Sequence, residues 1–583
     1  MIPADLRARA EAWIAEDPDP ADRAELRALL ADGGGTDERS QVARAELADR
    51  FAGRLEFGTA GLRGAVGAGP NRMNRAVVRA ATAALAGWLR QRRPGAARAG
   101  VVVGWDARHR SAEFADEVTS VLTGAGVRVH LLPSRSPTPL LAFAVRHLSA
   151  AAGVMITASH NPPADNGYKL YLSDGAQIVP PADVQIEAAM RALGPLTQIP
   201  AGPATNPLVV HHGDEVAQAY LDAIVASSPG AGSGRGGAPL RVVYTPLHGV
   251  AGRLAVRAIS RAGFPAPHMV AAQADPDPDF PTVAFPNPEQ PGVLDLAVAE
   301  ARRLGADLVL ANDPDGDRLA VAVPDPAAPG GWRMLTGDQV GGLLGAYLLA
   351  EAGESRSRLV ATTVVSSTML SKIAAAADVR YVETLTGFKW IVRAGEYAPD
   401  SRFVFGYEEA LGYAVGDTVH DKDGISAALA VLALVASARS AGQSLLERWD
   451  ALEARYGVHL TAQLTLASRS PADVMASLRA APPAVLAGQP VISASDLAGG
   501  GRGLPPADVL RYRLPEARVV IRPSGTEPKL KAYLEVEEPT AGVGLVAARA
   551  AAAARLSVLR SAVETLITGE PGAVASIPAK PGR

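Results

Sequence analysis

A serine hydroxyl is a weak nucleophile unless a base, a cation or a metal assists it, and for Ser159 the neighbouring His160 and Lys169 and a separate acidic loop at 313–318 offer candidates for all three. The segment 153-GVMITASHNPPADNGYKLY-171 starts with an apolar run, 154–156, that reads as a buried strand. It then breaks at Thr157, Ala158, Ser159, His160 and Asn161, where Pro162 and Pro163 stop any helix and Asn161 favours a turn. Ser159 is therefore expected at a strand end, with His160 beside it and Lys169 ten residues on. A plain polar turn uses the same residue types; the chemical reading is a reaction at oxygen.

The second constellation is 308-LVLANDPDGDR-318. Asp313, Asp315 and Asp317 recur at i, i+2 and i+4, so an extended loop relaxed by Gly316 can turn three carboxylates toward one point. Clustered anions repel unless a cation joins them, and oxygen-only ligation in a site that also handles phosphate selects Mg²⁺. An EF-hand is a poor alternative, because the twelfth position from Asp313 is Pro324 rather than a bidentate glutamate. A phosphatase of the Asp-x-Asp type is a better rival; there a Thr or Val follows two residues after the second aspartate, the place Asp317 takes here. A solvated acidic turn is the bland alternative.

Two further loops suit anions and sugars. In 522-RPSGTEPK-529 the small residues Ser524, Gly525 and Thr526 expose backbone N–H groups and hydroxyls, and Arg522 and Lys529 add charge, which is how a loop cradles phosphate. Glu408 and Glu409 follow a strand ending at Phe405, where carboxylates can accept hydrogen bonds from vicinal sugar hydroxyls. Only seven of the 57 basic residues are lysine, yet Lys169, Lys389, Lys422, Lys529 and Lys531 all fall in segments of interest. An ammonium that donates to phosphate is not interchangeable with a planar guanidinium.

Elements able to hold these loops alternate along the chain. Short apolar runs at 101–105, 127–131, 154–156, 241–244, 308–311, 319–323, 359–363 and 402–405 read as strands, and Ala/Leu-rich runs such as 76–92 and 111–123 as helices. Pro/Gly-rich breaks fall at 194–207, 227–239, 324–331 and 499–506. The expected organisation is a helical extension over 1–49, three α/β domains with mixed sheets over 50–208, 209–330 and 331–463, and an α+β domain over 464–583 ending in a long helix at 546–566, arranged around a central cleft.

Composition narrows the function. The absence of cysteine excludes disulfides, thiolate catalysis and a Cys-type zinc site. Lys+Arg 57 against Asp+Glu 60 leaves no global field for nucleic acid or an anionic membrane, so neither is an expected partner. The first twenty residues lack the apolar region of a secretory signal, and the run 425–438 is too short to span a bilayer, so a soluble, cytoplasmic protein is expected. Nothing in the pattern speaks to oligomeric state.

The Thr157 to Pro162 run, with Asn166, Gly167 and Lys169, resembles the active-site serine loop of the α-D-phosphohexomutases, and 313-DPDGDR-318 resembles their metal loop. The resemblance extends from about Leu55 to about Glu537 in the family's order. Gly58 to Gly64 resembles the loop that brings an arginine, here Arg63, to the serine; 386-TGFKW-390 resembles the loop contacting the substrate's phosphate side through Thr386, Gly387 and Lys389. The wording of these segments is similar to the subgroup of bacterial α-phosphoglucomutases, phosphopentomutases and glucose-1,6-bisphosphate synthases. The resemblance implies a mutase interconverting glucose 1-phosphate and glucose 6-phosphate, with Ser159 carried as phosphoserine and Mg²⁺ held by Asp313, Asp315, Asp317 and a phosphoserine oxygen. Arg63 and Lys169 would stabilise the reacting phosphoryl, and Arg522, Ser524, Gly525, Thr526 and Lys529 would grip the distant phosphate. Glu408 and Glu409 would read the sugar, His160 or Lys169 would be the acid/base, and glucose 1,6-bisphosphate the activator. Many family members carry Glu-x-Ser in the sugar loop, whereas Ala410 stands at that place here. That leaves phosphomannomutase and phosphopentomutase as alternatives, and a metal-dependent phosphatase or a non-catalytic sugar-phosphate sensor as rivals of other classes.

Overall fold

The run 308-LVLAN is buried along its whole length and 101-VVVGW from Val101 to Gly104, as strands covered on both faces must be. The computed structural model describes residues 1–57, 61–229, 239–351, 357–467, 470–501, 503–524 and 529–569. It forms two compact units: residues 1–334 with Gly412–Ala433, and Leu335–Leu411 with 434–583.

The first unit opens with helices Ala4–Glu16, Pro20–Asp32 and Glu38–Arg50, the last two capped by Asp19 and Asp37. They bury Leu6, Ala10, Ile14, Leu26 and Leu47 in a common core. A six-stranded sheet follows, built from β1 (Leu62–Ala65), β2 (Val101–Trp105), β3 (Val129–Leu131), β4 (Ala152–Ile156), β5 (Asp165–Leu172) and β6 (Val209–His211), in the order β1-β5-β4-β2-β3-β6. β2 runs parallel to β3 and β4, whereas β5 is antiparallel to both β4 and β1. Helices Arg75–Arg92, Ser111–Gly124 and Ala182–Arg191 supply Leu85, Phe114 and Ile186 to its core.

A second, five-stranded sheet has the order β11-β10-β9-β7-β8, with β7 Val242–Thr245, β8 His268–Met269, β9 Leu308–Asn312, β10 Leu319–Pro324 and β11 Trp332–Met334. β9 and β10 form an antiparallel hairpin whose connection is the acidic loop 313–318. Strand β15 (Gly412–Val415) and the segment leading into helix Gly424–Ser440 also belong to this first unit.

In the second unit β12 (Arg358–Thr363) lies between β13 (Arg380–Thr384) and β14 (Arg402–Glu408), parallel to both. Beyond it, β16 (Val458–Ala467), β19 (Ser493–Asp496), β20 (Leu510–Leu514), β21 (Ala517–Pro523) and β22 (Lys529–Glu538) form an antiparallel sheet in the order β16-β22-β21-β20-β19; a two-stranded ribbon, β17 (Val485–Leu486) and β18 (Gln489–Pro490), lies between β16 and β19 in the chain. Helix Leu545–Thr568 packs Ala548, Ala552, Leu559 and Val563 on that sheet. Mixed α/β sheets followed by an α+β module agree with the expected fold class. No single described helix is long and apolar enough to cross a membrane.

Two local expectations need correction. The segment after Gly61, read as loop, forms β1, and the polar 165-DNGYKLYL-172, absent from the expected strands, is a strand. Pairing on both sides, with β1 and β4, outweighs the turn preference of Asn166-Gly167. Gly167 fits because a Cβ there would meet the carbonyl oxygens of Thr157 and Leu62 at 2.6 and 2.8 Å.

Candidate active site

β4 stops at Ile156, and the chain turns at once. Thr157 Oγ1 accepts a hydrogen bond from the Ser159 N–H at 2.9 Å, and the Asn161 N–H donates to Ala158 O at 3.1 Å. Ser159 itself is held at φ +53°, a left-handed conformation that costs a non-glycine residue about 1 kcal/mol or more and persists only where its surroundings enforce it. Arg108 does so. Its Nη2 donates to Ser159 O and Asn161 O, both at 2.6 Å, and its Nη1 donates to Pro162 O at 2.8 Å and Asp165 O at 3.2 Å. Asp106 Oδ2 pairs with Arg108 Nε at 3.3 Å, while Asp106 Oδ1 accepts from the Arg108 N–H and from Ser111 Oγ.

The three aspartates of the second loop converge on this turn. Asp313, Asp315 and Asp317 are fully buried, with one carboxylate oxygen of each within 4.8 Å of the others. Ser159 Oγ donates to Asp313 Oδ2 at 2.9 Å. Lys169, brought in by β5, places Nζ 2.6 Å from Asp315 Oδ2 and 2.9 Å from Asp317 Oδ2. Thr138 Oγ1 donates to Asp315 Oδ2 at 2.7 Å, and Lys422 Nζ reaches Asp317 Oδ2 at 3.2 Å. Gly316 allows the loop its φ of +75°.

Electrostatics divide the three carboxyls. Burial, then Asp315 and Asp317, push the Asp313 carboxyl well above the usual carboxylate range. Burial and Asp317 push Asp315 up, but Lys169 and Thr138 outweigh them and hold it below its ordinary value. Burial opposes ionisation of Asp317 too, and there Lys169 and Lys422 prevail. Lys169 stays protonated: burial lowers its pKa, but Asp315 and Asp317 raise it more. The donor set fits an oxygen-seeking divalent cation. Among the described residues Asp315 Oδ1 and Asp317 Oδ1 are buried without a hydrogen-bond partner, and the mutual repulsion of three buried carboxylates is what such a cation relieves.

His160 and Arg63 flank the serine. His160 Nδ1 lies 3.3 Å from Ser159 Oγ and 4.0 Å from Asp313 Oδ2, with its ring edge-on to Phe285. Burial, then Arg318 and Arg63, hold the imidazole pKa well below its usual value, so it is neutral near pH 7. Arg63, on β1, donates from Nη1 to Asn161 Oδ1 at 3.1 Å. Gly58, Thr59 and Ala60 lie outside the described residues.

In the second unit the predicted substrate residues fall into two groups. The Gly387 N–H donates to Glu408 Oε1 at 2.8 Å, so the 386–389 turn is tied to the end of β14. Gly387 has φ +117°, Lys389 is buried with Nζ 5.7 Å from the Trp390 ring centre, and the Thr386 hydroxyl is buried without a hydrogen-bond partner among the described residues. Glu409 Oε2 accepts from Ser366 Oγ at 3.0 Å; desolvation, then Glu408, push its carboxyl up to about 7. On the β21–β22 connection, Arg522 Nη2 donates to Tyr533 OH at 3.3 Å and the Ser524 N–H donates to Lys529 O at 2.8 Å. Gly525 and Thr526 lie outside the described residues.

Sequence reasoning missed Arg108, Thr138 and the ion pair made by Lys422. An Asp-x-Arg placed directly after β2, the strand parallel to β4, was the available signal for Arg108.

Four family models match in succession: phosphoglucomutase/phosphomannomutase alpha/beta/alpha domain I over residues 54–195, domain II over 218–328, domain III over 336–456, and the C-terminal domain over 447–553. The chain is 41% identical over 477 residues to a probable phosphomannomutase of Haemophilus influenzae, covering 79% of this chain and 93% of the relative. It is 35% identical to a probable phosphoribomutase of Schizosaccharomyces pombe, covering 85% and 90%, and 32% identical to a phosphoglucomutase of Staphylococcus haemolyticus, covering 83% and 91%. A solved structure of a phosphoglucomutase/phosphomannomutase family protein from Burkholderia thailandensis shares the fold, with a TM-score of 0.67 at 21% identity over 88% of this chain and 98% of that one.

Proposed function

The chain belongs to the phosphoglucomutase/phosphomannomutase family of phosphosugar mutases, and we propose that it interconverts glucose 1-phosphate and glucose 6-phosphate through a phosphoserine at Ser159 and a bisphosphorylated sugar. The observation that carries this reading is the meeting of Ser159 Oγ, at 2.9 Å, with a buried carboxylate triad on a strained turn. Mg²⁺ held by Asp313, Asp315 and Asp317, with a serine-phosphate oxygen, would neutralise charge on the transferring phosphoryl.

Before turnover, glucose 1,6-bisphosphate charges the enzyme: one of its phosphoryl groups passes to Ser159 Oγ and the sugar leaves as a monophosphate. In the forward half-reaction the P–O bond to Ser159 Oγ breaks as a bond forms between phosphorus and the free sugar hydroxyl oxygen. The hydroxyl proton passes to a base. Neutral His160 suits that role, whereas Lys169, kept protonated by two carboxylates, suits charge stabilisation at the phosphoryl with Arg63. The bisphosphate then turns over, its other phosphoryl returns to Ser159, and His160 gives the proton to the departing sugar oxygen. Arg522, Ser524 and Lys529 grip the distal phosphate in either orientation, and Glu408, braced by the Gly387 N–H, accepts from the sugar hydroxyls.

Ala410 favours a second reading on sugar choice. Without a hydroxyl at that place the loop discriminates less between sugars, and relatives carrying phosphomannomutase and phosphoribomutase names match this chain as extensively as those called phosphoglucomutase. A coupled assay against glucose, mannose, ribose and deoxyribose 1-phosphates with a trace of bisphosphate tests the proposal. Glucose 1-phosphate should give the highest kcat/KM among the hexoses. Steady release of inorganic phosphate in place of isomerised sugar would make the protein a phosphatase.

A further inference from the structure

We propose that Asp19 and Asp22, in the N-terminal helical segment, are positioning residues for the Ser159 turn and act on it through Arg110 and Arg108. The proposal rests on the reading that Ser159 carries the phosphoryl group.

The sequence 17-DPDPAD-22 builds an anionic socket at the start of helix Pro20–Asp32. Asp17 Oδ1 accepts from the Asp19 N–H at 2.9 Å, and Asp19 Oδ1 caps the helix by accepting from the Ala21 N–H at 2.9 Å. That leaves Asp19 Oδ2 and Asp22 Oδ1 facing one cation, Arg110. Its Nη2 donates to Asp19, its Nη1 to Asp22 Oδ1 at 2.8 Å and its Nε to Glu113 Oε2 at 2.9 Å. Asp19 and Asp22 are buried, so the guanidinium is held in a desolvated, charge-assisted socket rather than a solvated surface pair.

Arg110 is held at φ +62°, immediately before helix Ser111–Gly124. This left-handed residue turns the chain so that two arginines two positions apart face different ways: Arg110 into the N-terminal acids, Arg108 onto the carbonyls of Ser159, Asn161, Pro162 and Asp165. Between them Asn166 Nδ2 donates to His109 O and to Ser111 Oγ, both at 2.9 Å. The segment 108–111 therefore holds both ends of the serine turn. Two non-glycine residues in left-handed conformations, Arg110 and Ser159, stand at the two ends of one hydrogen-bonded relay, and such residues persist where neighbours over-determine them. Asp19 and Asp22 do this for Arg110, as Arg108 does for Ser159.

The test compares the full-length wild type with D19N/D22N and D22E. Hydrogen–deuterium exchange is followed over 106–112, 157–166 and, as an internal control, the second-sheet strands at 308–312 and 319–323. Phosphoryl uptake on Ser159 from glucose 1,6-bisphosphate is followed by intact mass, and kcat and KM by coupled assay. In D19N/D22N, exchange should rise about tenfold at 106–112 and 157–166 but stay unchanged at 308–312 and 319–323. There kcat should fall about tenfold with KM within about twofold, as expected when a nucleophile is displaced while the groups that bind the sugar phosphate stay in place. D22E, which keeps the charge, should recover most of kcat. If D19N/D22N does not fold, R110K, which keeps a cation that cannot span both acids, is read the same way. Wild-type exchange and kcat in these variants, or exchange raised uniformly across all three regions, would overturn the proposal. A wild-type protein that takes no phosphoryl on Ser159 would overturn the serine reading instead, while the exchange comparison still decides whether the acids order the turn.

Discussion

Lys169 Nζ lies 2.6 Å from Asp315 Oδ2, and this pair joins the first sheet to the acidic loop of the second. Lys169 is buried at the middle of β5, opposite Met155 on the strand that leads to Ser159. The ammonium is therefore fixed by the same ladder that leads into the Ser159 turn. Register along β4 and β5, rather than loop flexibility, sets the distance between the serine and its charge partners.

The first prediction concerns Asp315 itself. In Asp315→Asn an amide replaces one of the three carboxylates, so turnover should fall by about 10²-fold or more and the Mg²⁺ affinity measured by calorimetry should drop with it. Thermal stability should change much less, because weaker repulsion among the remaining acids offsets the weakened pairing with Lys169. Excess EDTA should abolish wild-type activity. Full mutase activity in EDTA, or unchanged cation binding by the variant, would remove the metal from the account.

Gly167 offers a separate probe of the strand that carries Lys169. A Cβ at this position would come within 2.6 Å of Thr157 O, just past the end of β4, and 2.8 Å of Leu62 O on β1, both backbone atoms that cannot swing away. Gly167→Ala should destabilise the protein by about 1–3 kcal/mol. It should also lower kcat, since the displaced strand carries Lys169 and the displaced neighbour carries the serine turn. Chemical denaturation and steady-state kinetics measure the two effects; a variant with wild-type stability would show that the β1–β5–β4 ladder is looser than its geometry.

Stability should also depend on pH through Glu409. Its carboxyl is pushed up to about 7 from an ordinary 4.5, chiefly by desolvation and then by Glu408, so the folded state keeps a proton that the unfolded chain releases. The stabilisation is complete below about pH 4.5 and is lost as pH rises toward 7, by at most about 3 kcal/mol. Urea midpoints at pH 5 and pH 7.5 should therefore differ less in Glu409→Gln than in the wild type. An equal difference in the two proteins would mean that Glu409 titrates normally.

Ser159 and the three aspartates were legible in sequence because each motif is contiguous: a strand, a break, and the reactive side chains at once. What could not be read was convergence from a distance. Thr138, Lys169 and Lys422 meet the 313–317 loop from three separate elements, and only the packed sheets bring them together. Arg108 was hidden for another reason: its partners are backbone carbonyls, which carry no sequence signature. β5 was obscured because Asp165, Asn166 and Gly167 have turn-like composition, and pairing on both edges decides against it.

Specificity supplies the last prediction. Under the proposed function, phosphate grips and the metal loop would provide most of the binding energy for a phosphosugar, and Glu408 would read its hydroxyls. With Ala410 in place of a serine, one neutral hydroxyl interaction is missing, worth about 0.5–1.5 kcal/mol, or roughly tenfold in discrimination. Glucose phosphate should be the best hexose substrate, with measurable turnover of pentose phosphate. Ala410→Ser should shift the glucose-to-ribose ratio of kcat/KM by no more than about tenfold, through KM more than kcat, because an interaction made equally to ground and transition states changes binding alone. A wild-type enzyme that turns over mannose 1-phosphate far faster than glucose 1-phosphate would replace the glucose reading with a phosphomannomutase one, and the chemistry at Ser159 and the aspartate triad would be unaffected.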